Sequence, residues 1–428
     1  MSNQVELVRR AGEGRAAGAD GKREAALRRA AELKERIADY LAAVPHIPTG
    51  FTYQEEIAEN KRRILSALGG TEEDWADWHW HLRHRITNVE TLRAILPLGE
   101  AEAEGIKMVG RRFRWAISPY YASLITPGDP ACPVRRQAVP SPEELCGGGE
   151  DDPMAEEWTS PAPGVTRRYP DRLIINVTNR CAMYCRHCQR RRNIGEIDHN
   201  RCRSDLVQAL AYIRANEEIR DVLLTGGDAL LLSDRQLDWL LSELDAIPHV
   251  EIKRLGTRVP VTLPQRVTPE LCAVLAKHPP LYLNTQFNHP KEVTPAAKEA
   301  CDRLAAAGVV LGNQAVLLKG VNDHPHVMKK LNQELLKIRV RPYYLFHAKQ
   351  VTGTGHFVTR IEDGLAIMEA LRGFTSGLAI PTYIINAPKG FGKIPLLPDY
   401  LLDYDEREVT LRTWEGRLLR YPNGWASG

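Results

Sequence analysis

The stretch DRLIINVTNRCAMYCRHCQRRR, Asp171–Arg192, decides how the rest of the chain is read. It opens on an aliphatic and β-branched run, Leu173 to Val177, that fits a buried strand. Cys181, Cys185 and Cys188 follow at once in a C-x3-C-x2-C spacing. Three thiolates this close can cap three irons of a [4Fe–4S] cluster and leave the fourth open to a substrate or cofactor. A zinc site completed by His187, or three buried thiols, fits the same spacing.

Downstream, the strand character recurs. Apolar runs begin near Leu173, Asp221, Glu251, Leu281, Val309 and Arg341, with helical stretches at Asp205–Ala215, Asp234–Ala246, Pro295–Ala307 and Val327–Ile338. Strand and helix alternating at ~30-residue intervals predict βα units and a parallel sheet. Six units are clear in the sequence, fewer than a closed barrel needs. A seventh run, Thr382 to Ile385, follows a helix at Ile361–Arg372, and the tail VTLRTWEGRLLRYPNG predicts a hairpin turning at Glu415-Gly416.

Upstream, residues 1–126 predict a helical region. Leu27, Ala31, Leu33, Ile37, Tyr40 and Leu41 recur near the helical period, and a second helix fits Glu55 to Leu68, stopped by Gly69-Gly70. The Trp- and His-rich segment Asp74–Arg85 is read as packing rather than as a metal or base-stacking site. Residues 127–170, broken by prolines and by Gly147 to Gly149, predict an extended connector and the main domain boundary. The barrel is expected over 171–380, and a lysine loop with a C-terminal extension over 381–428.

Composition excludes several classes. A net charge of +3 gives no ground for a nucleic-acid or membrane-surface partner. No apolar run approaches the ~18 residues of a membrane span. The first residues carry Glu6 and Glu13 without an apolar core, unlike a secretory signal. Of eight cysteines three are clustered and five scattered, which is no disulfide framework, so a reducing cytoplasm is expected.

In βα barrels chemistry gathers at the C-terminal strand ends. The polar residues here obey that rule: the cysteines after strand one, Gly226-Gly227-Asp228 after strand two, Arg254 to Arg258 after strand three, Asn284 to His289 after strand four, Asn313-Gln314 in strand five, and His347 and Lys349 after strand six. One shared pocket accounts for all of them. A second constellation is NAPKGFGKIPLLP, Asn386–Pro398, where Lys393 lies between a glycine-broken loop and two prolines. A lysine so held can form a Schiff base with an aldehyde cofactor such as pyridoxal phosphate, and Arg168 and Arg172 are candidate partners for its phosphate.

These segments together resemble the lysine 2,3-aminomutase family of radical S-adenosylmethionine enzymes. The similarity runs from about Asp74 through Tyr421 and includes RYPDRLIINVTNRCAMYCRHCQRRR, LLTGGDALLLSD, LGNQAVLLKGVNDHPHVMKKL, KIRVRPYY and GKIPLLPDY. The resemblance implies an α/β fold, a partial (βα)6 TIM-like barrel with a helical N-terminal region and a short C-terminal hairpin extension. It implies a [4Fe–4S] cluster on Cys181, Cys185 and Cys188, with S-adenosylmethionine on the open iron and Gly226, Gly227 and Asp228 on the cofactor side. It also implies pyridoxal phosphate on Lys393 with Arg168, Arg172 and Gln314 near its phosphate, and Arg190 gripping the substrate α-carboxylate. Lys389 competes formally for the cofactor, but Lys393 directly precedes IPLLP. The implied reaction is an isomerisation in which a 5′-deoxyadenosyl radical takes hydrogen from C3 and the amino group moves from C2 to C3.

Departures from the family pattern indicate the substrate. In the lysine enzymes two aspartates hold the distal ammonium, and by position they fall on Lys349 and Asn386. A desolvated lysine facing that ammonium would be repelled by several kcal/mol. The same pair suits a carboxylate, as in the glutamate-acting branch, so L-glutamate going to β-glutamate is expected; the alternative is lysine or another amino acid, with Lys349 turned to solvent. No cysteine follows Cys301 and His324 replaces the usual partner cysteine, so an intersubunit zinc is not expected. An external donor of flavodoxin or ferredoxin type and a homo-oligomer are expected from the family.

Overall fold

The computed structural model describes residues 19–424. A nine-stranded sheet carries the fold, its strands adjacent in chain order: β1 (Val165–Thr166), β2 (Arg172–Thr178), β3 (Asp221–Gly226), β4 (Ile252–Gly256), β5 (Leu281–Thr285), β6 (Val310–Leu317), β7 (Arg341–His347), β8 (Thr382–Asn386) and β9 (Lys393–Leu396). Strands β2 to β8 run parallel, and β1 and β9 pair antiparallel at the two edges. Every loop after a parallel strand therefore leaves from the same end of the sheet.

Helices cover the connections: Arg203–Arg214, Asp234–Asp245, Pro269–Leu275, Pro295–Ala306, Pro325–Lys337 and Ile361–Leu371. Asp234–Asp245 shows why such segments are helical. Ser233 and Gln236 form a capping box, and Leu237, Leu240, Leu241 and Leu244 form one buried stripe. Each leucine so buried contributes about 1.5–3 kcal/mol. Helix Pro269–Leu275 is absent from the sequence-based expectation, although Thr268 caps it and proline occupies its first position.

The N-terminal region is helical from Ala19 onward, and the helix Gln54–Leu68 ends on Gly69 at φ 66°. The expected first helix is broken: Ala19–Glu35 is followed by a separate Ala38–Ala43. Trp75, Trp80 and His81 are buried, with His81 Nε2 hydrogen-bonded to the Trp75 carbonyl at 2.8 Å, so the aromatic segment is packing. One hydrophobic core runs from Ile64 to Tyr383. The 127–170 segment, expected to be an extended connector, also folds: it carries helix Pro133–Ala138 and buries Val134, Gln137, Glu144, Met154 and Glu156. Its polar residues are buried because they pair with arginines, a pattern that composition alone reads as loop. In the tail, β11 (Glu408–Arg412) and β12 (Leu418–Pro422) form the expected hairpin, and β10 (Leu401–Tyr404) adds a third strand.

Candidate active site

A cavity of about 340 Å³ opens at the C-terminal ends of the parallel strands. Every expected site residue lines it: Cys181, Cys185, Cys188 and Arg190 after β2; Gly226, Gly227 and Asp228 after β3; Gln314 from β6; Lys349 after β7; Asn386 and Lys393 from β8 and β9; and Arg168 and Arg172 from the approach to β2.

The cysteine loop is held from outside the barrel region. Tyr184 N–H donates to the Ala116 carbonyl at 3.0 Å and Arg186 N–H to the Gln137 carbonyl at 2.9 Å. Arg85 donates to the Cys181 carbonyl at 2.8 Å. Beneath the loop the fully buried Glu144 carboxylate pairs with Arg186 and Arg191. The loop is also gripped from β3. A Cβ on Gly227 would lie 2.4 Å from the Arg180 carbonyl oxygen, so only glycine permits that approach. Asp228 lines the cavity, but its oxygens accept from Leu230 N–H, Thr257 and Arg258 N–H, which clips the β3 and β4 loops together.

The three thiols line one cavity and lie within electrostatic reach of one another. Burial, Asp228 and the neighbouring sulfurs push the Cys181 thiol well above its ordinary pKa, and burial with Cys185 pushes Cys188 up. Arg258 Nη1 donates to Cys185 Sγ at 2.9 Å, the kind of contact that steadies a thiolate ligand. Among the described residues no three His, Cys, Asp or Glu converge on a single-ion position. Three cysteines lining one cavity, with His187 engaged elsewhere, supply the donor set of a [4Fe–4S] cluster with one open iron. His187, the fourth ligand of the zinc reading, instead accepts from Asn288 at 3.3 Å through Nε2. Its Nδ1 and the Nδ2 of Asn284 are buried, line the cavity and have no protein partner, which suits a bound polar cofactor.

At the other end Asn386 and Lys393 are register partners in the β8–β9 hairpin, so one turn carries both. The turn needs left-handed backbone at Lys389, Gly390 and Gly392. Lys393 sits on an edge strand and is exposed as a residue, yet its ammonium lies 5.1 Å from the Tyr169 ring centre and lines the cavity. Arg172 stacks on that same ring at 4.0 Å. Lost hydration and the cations Arg172, Arg254 and Arg168 bring the Lys393 pKa down to about 8. Lys349 is brought down to about 7 by burial and by Arg190 and Arg168. Arg168, Arg172, Arg190, Arg254, Lys349 and Lys393 make the cavity a site for anions at more than one point.

Two contributors have no role in the sequence-based expectation. Arg258 was legible only as part of the polar RLGTR run at a strand end. Glu156 carried no sequence signal, lying in a Pro- and Gly-rich stretch.

A parallel sheet with three cysteines behind its first parallel strand, facing a cofactor-sized cavity, is the arrangement of a radical S-adenosylmethionine enzyme, and the Radical SAM superfamily model matches residues 175–331. The Lysine-2,3-aminomutase model matches residues 368–425, the part with the lysine turn. The chain is 59% identical to a glutamate 2,3-aminomutase from Clostridioides difficile over 92% of this chain and 94% of that one. It is 50% identical to an L-lysine 2,3-aminomutase from Clostridium subterminale over 81% and 84% of the two chains, and 48% identical to one from Bacillus subtilis over 82% and 75%. The chain belongs to the lysine 2,3-aminomutase family. It is an isomerase of the aminomutase type, and its family works with a [4Fe–4S] cluster, S-adenosylmethionine and pyridoxal phosphate.

Proposed function

We propose that this chain interconverts L-glutamate and β-glutamate by moving the amino group between C2 and C3. The observation that carries the reading is the pairing of Lys349 and Asn386 in the same cavity as Arg190 and Lys393. A substrate with a carboxylate at each end meets a cation at each end; a substrate ending in an ammonium meets Lys349 instead of a carboxylate. The 59% identity to the Clostridioides difficile glutamate enzyme supports the same choice.

In this reading Cys181, Cys185 and Cys188 hold the cluster, Lys393 holds pyridoxal phosphate, and Arg168, Arg172 and Gln314 surround its phosphate. When bound, the cluster with S-adenosylmethionine supplies the radical and pyridoxal phosphate supplies the carrier for the migrating nitrogen. The protein's share is positioning. Arg190 takes the α-carboxylate and Lys349 with Asn386 the distal one, so C3 is presented in a single orientation. The parallel sheet with its covering helices acts as a partial (βα)6 barrel, and an external flavodoxin- or ferredoxin-type protein delivers the electron. Incubating the reduced, cofactor-loaded enzyme with a panel of L-amino acids and identifying the products tests this. β-Glutamate from L-glutamate is expected; β-lysine without β-glutamate would refute the assignment.

A further inference from the structure

The cavity holds a concentration of arginines whose long stems need orienting, and a single buried carboxylate meets two of them. Glu156 is 6% exposed. Its oxygens accept from Arg190 Nε at 3.1 and 3.2 Å, and Arg190 Nη2 lies 3.0 Å from Oε1. They also accept from Arg168 Nη2 at 3.0 Å, with Arg192 further out at 3.8 Å. Arg168 and Arg190 line the cavity, whereas Glu156 is not among the lining residues. The carboxylate therefore grips the guanidinium groups from behind. For Arg190 it occupies the Nε and Nη2 edge, and no protein acceptor for Nη1 is found among the described residues. The end of the fork is left for a ligand, and a guanidinium held along one edge offers a second, bidentate edge in a set direction.

The segment that delivers Glu156 is built for that aim. Ala155, just before it, has φ 49°, a left-handed conformation that costs a non-glycine residue energy and here turns the chain back toward the arginines. The same segment touches the lysine turn. Lys389 N–H donates to the Pro153 carbonyl at 2.9 Å, and a Cβ on Gly390 would meet Arg168 Cδ at 2.9 Å and the Met154 carbonyl at 3.2 Å.

We propose that Glu156 is a positioning residue that orients Arg190 for the substrate carboxylate and Arg168 for the cofactor phosphate, so that both anions are received by pre-aimed forks. This rests on the roles given to Arg190 and Arg168 under the proposed function. A carboxylate that only competed with substrate would have the opposite effect on affinity, so the sign of the change decides.

The test uses cluster-loaded holoenzyme with Glu156→Gln, which keeps the shape and removes the charge. KM for L-glutamate is expected to rise about tenfold or more, the loss of one charge-assisted hydrogen-bonded pair, while kcat changes much less. The affinity of the cofactor-free protein for pyridoxal phosphate, titrated by absorbance, is expected to fall several-fold. Glu156→Asp keeps the charge with a shorter reach and is expected to show both changes at smaller size; it carries the test if the glutamine variant does not fold. An unchanged or lowered KM with unchanged cofactor affinity, in whichever variant folds, overturns the proposal. If wild-type protein does not turn over L-glutamate, the functional reading has failed, and the cofactor titration still decides whether Glu156 sets Arg168.

Discussion

Lys349 is a cation kept from water beside Arg190 and Arg168, and its pKa falls to about 7. The sign of the consequence follows. Below pH 7 the side chain is an ammonium that can hold a carboxylate; above it the free enzyme presents a neutral amine, so kcat/KM for L-glutamate is expected to fall as pH rises through about 7. A bound carboxylate favours the charged form, so the same limb in kcat lies at higher pH. In Lys349→Arg, which does not titrate in this range, the limb should vanish from the kcat/KM profile. Lys393 behaves oppositely. Its reactive form is the neutral amine, so the rate at which cofactor-free protein takes up pyridoxal phosphate should increase through about pH 8, and Lys393→Ala should show no lysine-bound absorbance at any pH. Reversing the charge logic with Lys349→Asp and Asn386→Asp together should lower kcat/KM for L-glutamate by about a hundredfold or more, since two favourable contacts become repulsive. Unchanged glutamate turnover in that variant would remove both residues from substrate selection.

At the scale of elements, the parallel strands are readable as short apolar runs and most of their helices from a buried stripe at helical period. Strands expected near Asp221, Leu281 and Arg341 begin at those residues. Short elements are less readable: Pro269–Leu275 is too brief to show a stripe, and β10 is exposed along its length. The Gly226-Gly227 turn has a consequence that spacing does not reveal. Gly227 packs against the backbone of Asn179 and Arg180, where the neighbour cannot swing aside as a side chain would. Gly227→Ala is expected to cost about 1–3 kcal/mol and to displace the cysteine loop, read as a lower denaturant midpoint together with fewer irons bound per chain. Retained iron content at wild-type stability would contradict that packing argument.

Across the whole molecule, the N-terminal helices and the 127–170 segment scaffold the cysteine loop. Glu144 makes this measurable: it is buried without exposure to speak of, between Arg186 and Arg191, which flank Cys188. Burial raises its pKa and the two guanidinium groups lower it, with a net result below the ordinary carboxylate value. Glu144→Ala leaves two buried cations unpaired and is expected to cost about 3–5 kcal/mol in denaturant unfolding. A loss below about 1 kcal/mol would mean that water reaches both arginines.

What the sequence determined by itself was local or recurrent: the cysteine spacing, the βα period and the glycine-broken lysine turn; that Lys349 and Asn386 stand where aspartates are expected came only from the family resemblance. The local features are legible because they depend on residue type at short separation. Tertiary structure alone decided the rest. It brought Lys349, Asn386 and Lys393 to the cavity that the cysteines line, buried Glu144 and Glu156 against arginines that flank those cysteines, and aimed Arg258 at Cys185. Whether a charged residue is buried depends on which distant partner the fold supplies, and no spacing along the chain encodes that partner.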